Sequence, residues 1–281
     1  GFDALIGNPP WDRIKLQQVE WFAERKPEIA LQARAADRKA LIEKEARKKT
    51  RLHQDYLAAQ DAAESGARVL RECGDYPLLS GGDTNLYGLF VERAAALVAP
   101  GGIVGLLCPS GIAADKGASA FFRTLTTPDE TRAARLAALY DFENKKVFFP
   151  DIHASFKFCA LVFGGANWRF PQVRCAFYLH DGADLADPER VLQLTGEDFQ
   201  RVNPNTGAAP IFRTPRDAEL TMQIYRRHPV LVNRSGGGEQ RIWPLRYTTM
   251  FHMTNDSHLF LKRAEVEKTG AGVVPLFVGR M

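Results

Sequence analysis

Hydrophobic positions in the 281-residue chain fall into two kinds of segment that alternate along its length. Continuous apolar runs of strand length occur at "FDALIG" (2–7), "GIVGLLCPSGI" (102–112), "LAALYDFEN" (136–144) and "FKFCALVFGG" (156–165). A run without a polar face is the pattern of a strand covered on both sides, so "FDALIG" reads as a short buried strand and 102–112 as a doubly covered one. Between the runs the period lengthens. From Gln17 to about Ala63 there is no glycine and a single proline, Pro27. Leu31, Ala35, Leu41, Ile42, Leu52, Tyr56 and Leu57 recur there at loose helical spacing among many charges, which predicts helices in a hairpin projecting from the body. "YPLLSGGDTN" (76–85) is rich in turn residues. "NLYGLFVERAAALVAPGG" (85–102) predicts an amphipathic helix closed by Pro100-Gly101-Gly102, and 115–135 reads as another helix. Strands and helices in alternation predict a three-layer α/β sheet.

Past Gly165 the pattern breaks into short strands separated by Pro, Asn and Asp turns, and a second glycine cluster, "SGGGEQ" (235–240), precedes Trp243. A domain boundary is expected between 200 and 240. An apolar content of 45% lets a chain of this length bury a core in one or two domains. No stretch reaches the roughly 20 apolar residues of a membrane span, and no basic region with an apolar block marks a signal peptide. Cys73, Cys108, Cys159 and Cys175 have neither CxxC spacing nor a nearby histidine set, so free cysteines in a cytoplasmic protein without a metal site are expected. The net charge of +4 is unevenly spread: residues 25–51 hold ten Lys/Arg against four Asp/Glu, 81–200 eleven against fourteen, and 201–281 twelve against six. Basic ends around a slightly acidic centre suit a polyanion as well as a merely solvated face.

The informative stretch is "IGNPPWDRI" (6–14). Neither Pro9 nor Pro10 can donate to a strand ladder, so the first strand must stop in a rigid turn, and ligands of open α/β sheets bind beyond the carboxyl ends of strands. Asn8 offers a side-chain acceptor, the Pro9 carbonyl a second, and Trp11 a flat apolar face. Two acceptors beside an aromatic plane match a planar ring bearing an exocyclic NH₂. Such an amine is a poor nucleophile because its lone pair is delocalised into the ring. Two acceptors that draw its N–H bonds toward tetrahedral geometry free the lone pair without a strong base.

On these residues the chain resembles the amino-methyltransferases that use S-adenosyl-L-methionine, specifically the N6-adenine DNA methyltransferases, whose motif is (Asn/Asp/Ser)-Pro-Pro-aromatic after the fourth strand. "FDALIGNPPW" is a full match. "NLYGLFVERAAALVAPGGIVGLLCP" is similar to the family's next helix and fifth strand, "VFFPDIHASFKFCALVF" to the later motif whose aromatic lies against the flipped base, and "GVVPLFVGRM" to the opening of the target-recognition region. In style the chain resembles the large fused enzymes of type IIG restriction-modification and BREX-like phage defence. The resemblance implies an α/β fold: the C-terminal half of a Rossmann-like class I methyltransferase sheet from strand four onward. Residues 1–165 would be the catalytic domain with a helical insertion at about 15–75, residues 166–235 a connecting region, and 236–281 the start of a mixed target-recognition domain. It further implies that Asn8 and Pro9 bind the target amino group, that Trp11 stacks on the base, and that Pro10 lies near the methyl donor. Phe149 would be the second aromatic, with Phe148 the competing choice. Phe90 would pack against the cofactor, although ordinary core packing explains it equally well. His153 reads as a loop residue.

The family's glycine-rich turn after strand one and the acidic residue ending strand two have no counterpart; "GAG" (270–272) precedes a strand and "SGGGEQ" lies outside the sheet half. The expectation is therefore a fragment of a longer enzyme. The implied partner is double-stranded DNA, contacted through Lys/Arg of 25–51 and of the C-terminal region, with nuclease or helicase parts in the same system. The competing readings are a protein-glutamine or rRNA amino-methyltransferase, and a non-catalytic DNA-binding module.

Overall fold

The computed structural model describes residues 1–81, 84–131, 133–246, 248–252, 255–261, 266 and 272–274. They form two units, Gly1–Gln240 and Arg241–Met281. The first is built on a six-stranded mixed sheet of β1 (Phe2–Gly7), β2 (Val98–Pro109), β3 (Leu136–Glu143), β4 (Lys157–Gly164), β5 (Val173–Leu179) and β6 (Leu192–Leu194). The strand order is β1-β2-β4-β3-β5-β6. β1 pairs parallel with β2, and β3 pairs parallel with β5, whereas β4 runs antiparallel to both β2 and β3 and β6 antiparallel to β5. The carboxyl ends of β1, β2, β3 and β5 therefore share one edge of the sheet, together with the start of β4.

Helices cover one face. Val104, Leu106 and Cys108 of β2 alternate onto that face with Cys159, Leu161 and Phe163 of β4 and Val173, Cys175 and Phe177 of β5. Against them pack α5 (Leu86–Leu97), α6 (Gly111–Ala114), α7 (Ser119–Thr126), α8 (Gly196–Val202) and α9 (Pro215–Arg227). The opposite face holds a smaller cluster of Phe142, Phe158, Ala176 and Leu179, covered by Trp11, Phe148, Phe149 and Leu185 from loops and a short 3-10 turn. The expected third layer of helices is thus absent among the described residues, and β2 alternates buried with half-buried positions instead of being sealed on both sides.

The apolar run of β1 likewise does not report burial. β1 is an edge strand, Phe2 and Ile6 are exposed, and β2 is its one neighbour among the described residues. Residues 166–235, expected as a connector, contribute β5, β6, α8 and α9 to the sheet body, because Val173, Cys175 and Phe177 supply a buried alternate face. The helix expected over 115–135 is shorter: α7 stops at Thr126, where Thr127 and Pro128 force extended backbone.

Residues 18–72 form α1 (Gln18–Ala23), α2 (Pro27–Ala30), α3 (Ala35–Arg47) and α4 (Arg51–Glu72), around a small core of Phe22, Ile29 and Tyr56. The Thr50 hydroxyl caps α4 by accepting from the His53 N–H. The four cysteines are free, and Cys108 and Cys159 lie opposite each other across β2 and β4 with Sγ atoms 3.8 Å apart. In the second unit the described residues include a 3-10 turn at Ser257–Leu259 and an edge-to-face contact of Phe251 with Phe260. Residues 275–281, which carry most of "GVVPLFVGRM", lie outside the described residues. No helix among the described residues is long and apolar enough to cross a membrane.

Candidate active site

The Asn8-Pro9-Pro10-Trp11 turn leaves β1 at the carboxyl edge of the sheet. Pro9 is buried, whereas Asn8 and Pro10 are exposed. The Asn8 carboxamide makes no hydrogen bond to another described residue, so its oxygen and amide remain available to a ligand. Immediately downstream the chain is pinned. The Ile14 N–H donates to the Thr84 carbonyl (3.0 Å), the Leu86 N–H donates to the Asp12 carbonyl (2.9 Å), and Arg13 bridges to Asn85. The turn is therefore fixed at one end by β1 and at the other by the start of α5.

Trp11 lies over the loop-covered face of the sheet, half-buried, with its indole N–H directed at the Leu107 carbonyl of β2 (3.4 Å). Three phenylalanines surround it. Phe149 meets it edge-to-face (centroids 5.2 Å, 72°), Phe156 lies parallel to it (5.5 Å, 9°), and Phe158 is stacked at 5.9 Å. Phe148 turns instead toward Phe142 and Phe158.

The loop that delivers Phe149 is organised by one side chain. Asn144 is fully buried; its amide donates to the carbonyls of Phe149 (2.8 Å) and Ile152 (3.0 Å), and its oxygen accepts from the Phe149 N–H (2.9 Å). The turn this enforces places Lys145 and Lys146 in succession in the left-handed region (φ 43° and 62°), a conformation that costs roughly 1–2 kcal/mol per non-glycine residue. His153 is exposed and pairs with the Ser155 hydroxyl.

Charge gathers along the same edge. Glu143, ending β3, accepts from His180 (2.8 Å) and pairs with Lys145 (3.3 Å) and Lys157 (3.6 Å); the His180 contact above all holds its carboxyl below the usual range. On the helix-covered face Asp141 is buried and accepts from the Ser110 hydroxyl, and burial pushes its carboxyl up. The Tyr87 phenol of α5 is pushed up to about 12, chiefly by burial. No group of three or more His, Cys, Asp or Glu suited to a metal ion occurs among the described residues.

Of the residues singled out from sequence, the structure brings Trp11 and Phe149 together beside Asn8, Pro9 and Pro10. It does not bring Phe90 into that cluster. Phe90 is 51% exposed on α5, whose core face carries Tyr87, Val91 and Ala94.

No family model and no curated protein matches the chain. Solved structures do. One is the methyltransferase subunit of a type I restriction-modification system from Streptococcus thermophilus, at 7% identity over 50% of this chain and 33% of that one (TM-score 0.36). Another is a nuclease-deletion mutant of the Type ISP restriction-modification enzyme LlaGI in complex with a DNA substrate mimic, at 12% identity over 63% of this chain and 14% of that one (TM-score 0.31). A third is the type IIG restriction endonuclease BpuSI, at 10% identity over 46% and 16% (TM-score 0.30). The chain spans at most a third of the length of these structures.

Sequence reading missed Asn144, Phe156 and Phe158. The alternation in "SFKF" carried a signal for the two phenylalanines, since residues two apart in an extended segment share a face. Asn144 carried none, because a lone Asn after a strand also fits an ordinary turn.

Proposed function

We propose that this chain is the base-binding part of a DNA adenine N6-methyltransferase that takes its methyl group from S-adenosyl-L-methionine, of the kind found in restriction-modification and phage-defence systems. One observation carries the reading: a rigid Asn-Pro-Pro-Trp turn stands at the carboxyl end of a parallel strand, with its carboxamide bonded to no other described residue and its indole held edge-to-face with Phe149. An adenine everted from the duplex would stack on Trp11 and present its amino group to Asn8 Oδ1 and the Pro9 carbonyl. Both groups accept, and neither competes for the nitrogen lone pair. The turn cannot relax away from the amine because both prolines fix φ. The transition state is thereby favoured by positioning and by acceptors aimed at the positive charge developing on nitrogen. Four parallel strands with antiparallel β4 between β2 and β3 place that turn, the Asn144 loop and the Glu143–His180 pair on one edge, which supports an open α/β binding site there.

S-Adenosyl-L-methionine would supply an electrophilic methyl group. This chain's fit to it is partial: Pro10 is exposed beside Asn8 and Phe90 is an exposed apolar surface on α5. Among the described residues no glycine-rich turn leads from a parallel strand into a helix. The residues present accordingly fit the acceptor side of the reaction. Asn8→Ala should abolish transfer of tritiated methyl to DNA while leaving duplex affinity within a few-fold, since the amide acts on the reacting nitrogen and phosphate contacts supply most affinity. Methylation by the variant within a few-fold of wild type would remove Asn8 from the mechanism.

A further inference from the structure

A cavity of about 720 Å³ opens beside the turn, between residues 13–19 and the polar face of α4. Arg13, Lys15, Arg38, Arg68 and Arg71 line it, against the carboxylates of Asp61 and Glu64. Glu64 is engaged by the Gln60 amide (2.9 Å). Lys15, Arg68 and Arg71 are exposed and form no ion pair with a described carboxylate. Arg38 is partly tied, donating to the Gln32 carbonyl (2.7 Å), and its Nε is buried without a partner. The wall is firm where it matters. Residues 60, 64, 68 and 71 recur at helical spacing on one face of α4, and Gln18 donates to the Tyr56 hydroxyl (2.9 Å), tying the entrance to the core of the helical segment.

Arg13 follows Trp11 by two residues, so their Cα atoms lie within about 7 Å of each other and the cleft begins next to the turn that carries the indole. That reach is comparable with the separation of neighbouring phosphates on one strand, which exceeds the axial rise of roughly 3.4 Å per nucleotide. The cationic heads of Lys15, Arg68 and Arg71, gathered in one concave polar site with Arg13, suit successive phosphates rather than a base edge or an apolar ligand. Phe156, Phe158 and the Asn144 loop pack around Trp11, and none of them lines this cleft. We propose that the cleft between residues 13–19 and α4 holds the phosphodiester backbone of the DNA strand next to the everted nucleotide. The proposal rests on the function given above and adds the place where the strand is gripped.

The test is fluorescence anisotropy with a labelled duplex of about 25 base pairs, titrated at several salt concentrations. The variants are R68E/R71E, the conservative R68K/R71K, and K39E/K48E, which makes the same change of charge outside the cleft. R68E/R71E should weaken binding at least tenfold near 0.1 M salt and shrink the slope of log K against log salt by about 0.9 for each phosphate that is no longer neutralised. R68K/R71K should stay within a few-fold of wild type, because lysine still serves a phosphate as a point charge. K39E/K48E should cost less than a third as much as R68E/R71E. Equal losses from the two charge reversals would overturn the cleft in favour of a diffuse basic surface. Unchanged binding by R68E/R71E would overturn it alone, with the proposed methylation untouched. Tighter binding of polyglutamate than of DNA, lost in R68E/R71E, would assign the cleft to an acidic protein segment instead. Failure of the wild type to bind duplex at any salt would overturn the function and the cleft together.

Discussion

Asp141 and Asn144 stand three residues apart, both buried, and their partners give them opposite consequences. Asn144 spends its donors and its acceptor on the loop backbone, so it stabilises the turn it sits in. Asp141 has the Ser110 hydroxyl but lies in a small apolar-walled cavity of about 250 Å³ shared with Leu139, Phe177 and Ile211. Burial is the largest influence on its carboxyl and raises it. A carboxyl raised on folding contributes stability that is fully present below its unfolded value, near 4, and is lost as pH rises through the folded value. Ionised Asp141 therefore costs stability at neutral pH. Asp141→Asn keeps an acceptor for Ser110 and removes that cost. It should stabilise the protein by on the order of 1 kcal/mol at pH 7, with the gain fading as pH falls through the raised folded value and gone below about pH 4. Thermal melts across pH check this, and a variant less stable than wild type at pH 7 would show that the negative charge itself is required there.

At the scale of elements, the 144–156 loop is the part that the site depends on most. Its geometry is imposed rather than preferred, since Lys145 and Lys146 occupy left-handed backbone held by the Asn144 side chain together with the backbone bonds from Lys145 to Ala154 and from Asn144 to Phe156. Asn144→Ala should cost roughly 2–3 kcal/mol, because it leaves buried backbone groups of the loop unsatisfied. It should also release Phe149 from the edge of Trp11. With 2-aminopurine at the target position, the fluorescence change on binding should fall for Asn144→Ala, Phe149→Ala and Trp11→Ala, each stacking partner being worth about 1–3 kcal/mol per base. Phe148→Ala, whose ring faces Phe142 and Phe158, should lower stability and leave that signal intact at saturating DNA. A signal lost with Phe148 and kept without Phe149 would shift the base-facing role by one residue. The helical segment 18–72 is a different kind of element. Its own core is only Phe22, Ile29 and Tyr56 with partly buried neighbours, and much of its surface is charge.

At the scale of the whole molecule, the sheet ends on one side in β1, whose second edge has no partner among the described residues and whose Ile6 is 89% exposed. An apolar edge strand with free N–H and C=O groups is a template for pairing with another chain. The protein should associate with itself in a concentration-dependent way, and Ile6→Lys should reduce that association while leaving the melting temperature nearly unchanged. Light scattering over a dilution series reads both proteins, and a wild type that stays monodisperse at high concentration would refute the edge-pairing account.

What the chain by itself determined is local. Two prolines end β1 wherever it lies, the glycine-free stretch after Gln17 becomes helical, and the apolar runs of 136–144 and 156–165 make strands, because backbone sterics and side-chain pattern act within a few residues. The turn of Asn8, Pro9, Pro10 and Trp11 at the end of β1 was legible for the same reason. Tertiary structure decided what no local pattern encodes. "FDALIG" looks as apolar as the strands of the core, yet it is an edge, since burial is a property of neighbours supplied from elsewhere in the chain. Residues 166–235 read as a connector, yet β5 completes the sheet by pairing with β3. Antiparallel β4 inserts between β2 and β3 and so carries Phe158, with Phe156 just before it, beneath Trp11, a juxtaposition of residues about 150 positions apart. Phe90 was read from its place in a motif with core packing as the alternative; the rotation of α5 against β2 turns it to the surface, which removes core packing and leaves the cofactor-facing role open to proposal. Such choices follow from the packing of whole elements, whose free energy depends on contacts between residues far apart in the chain.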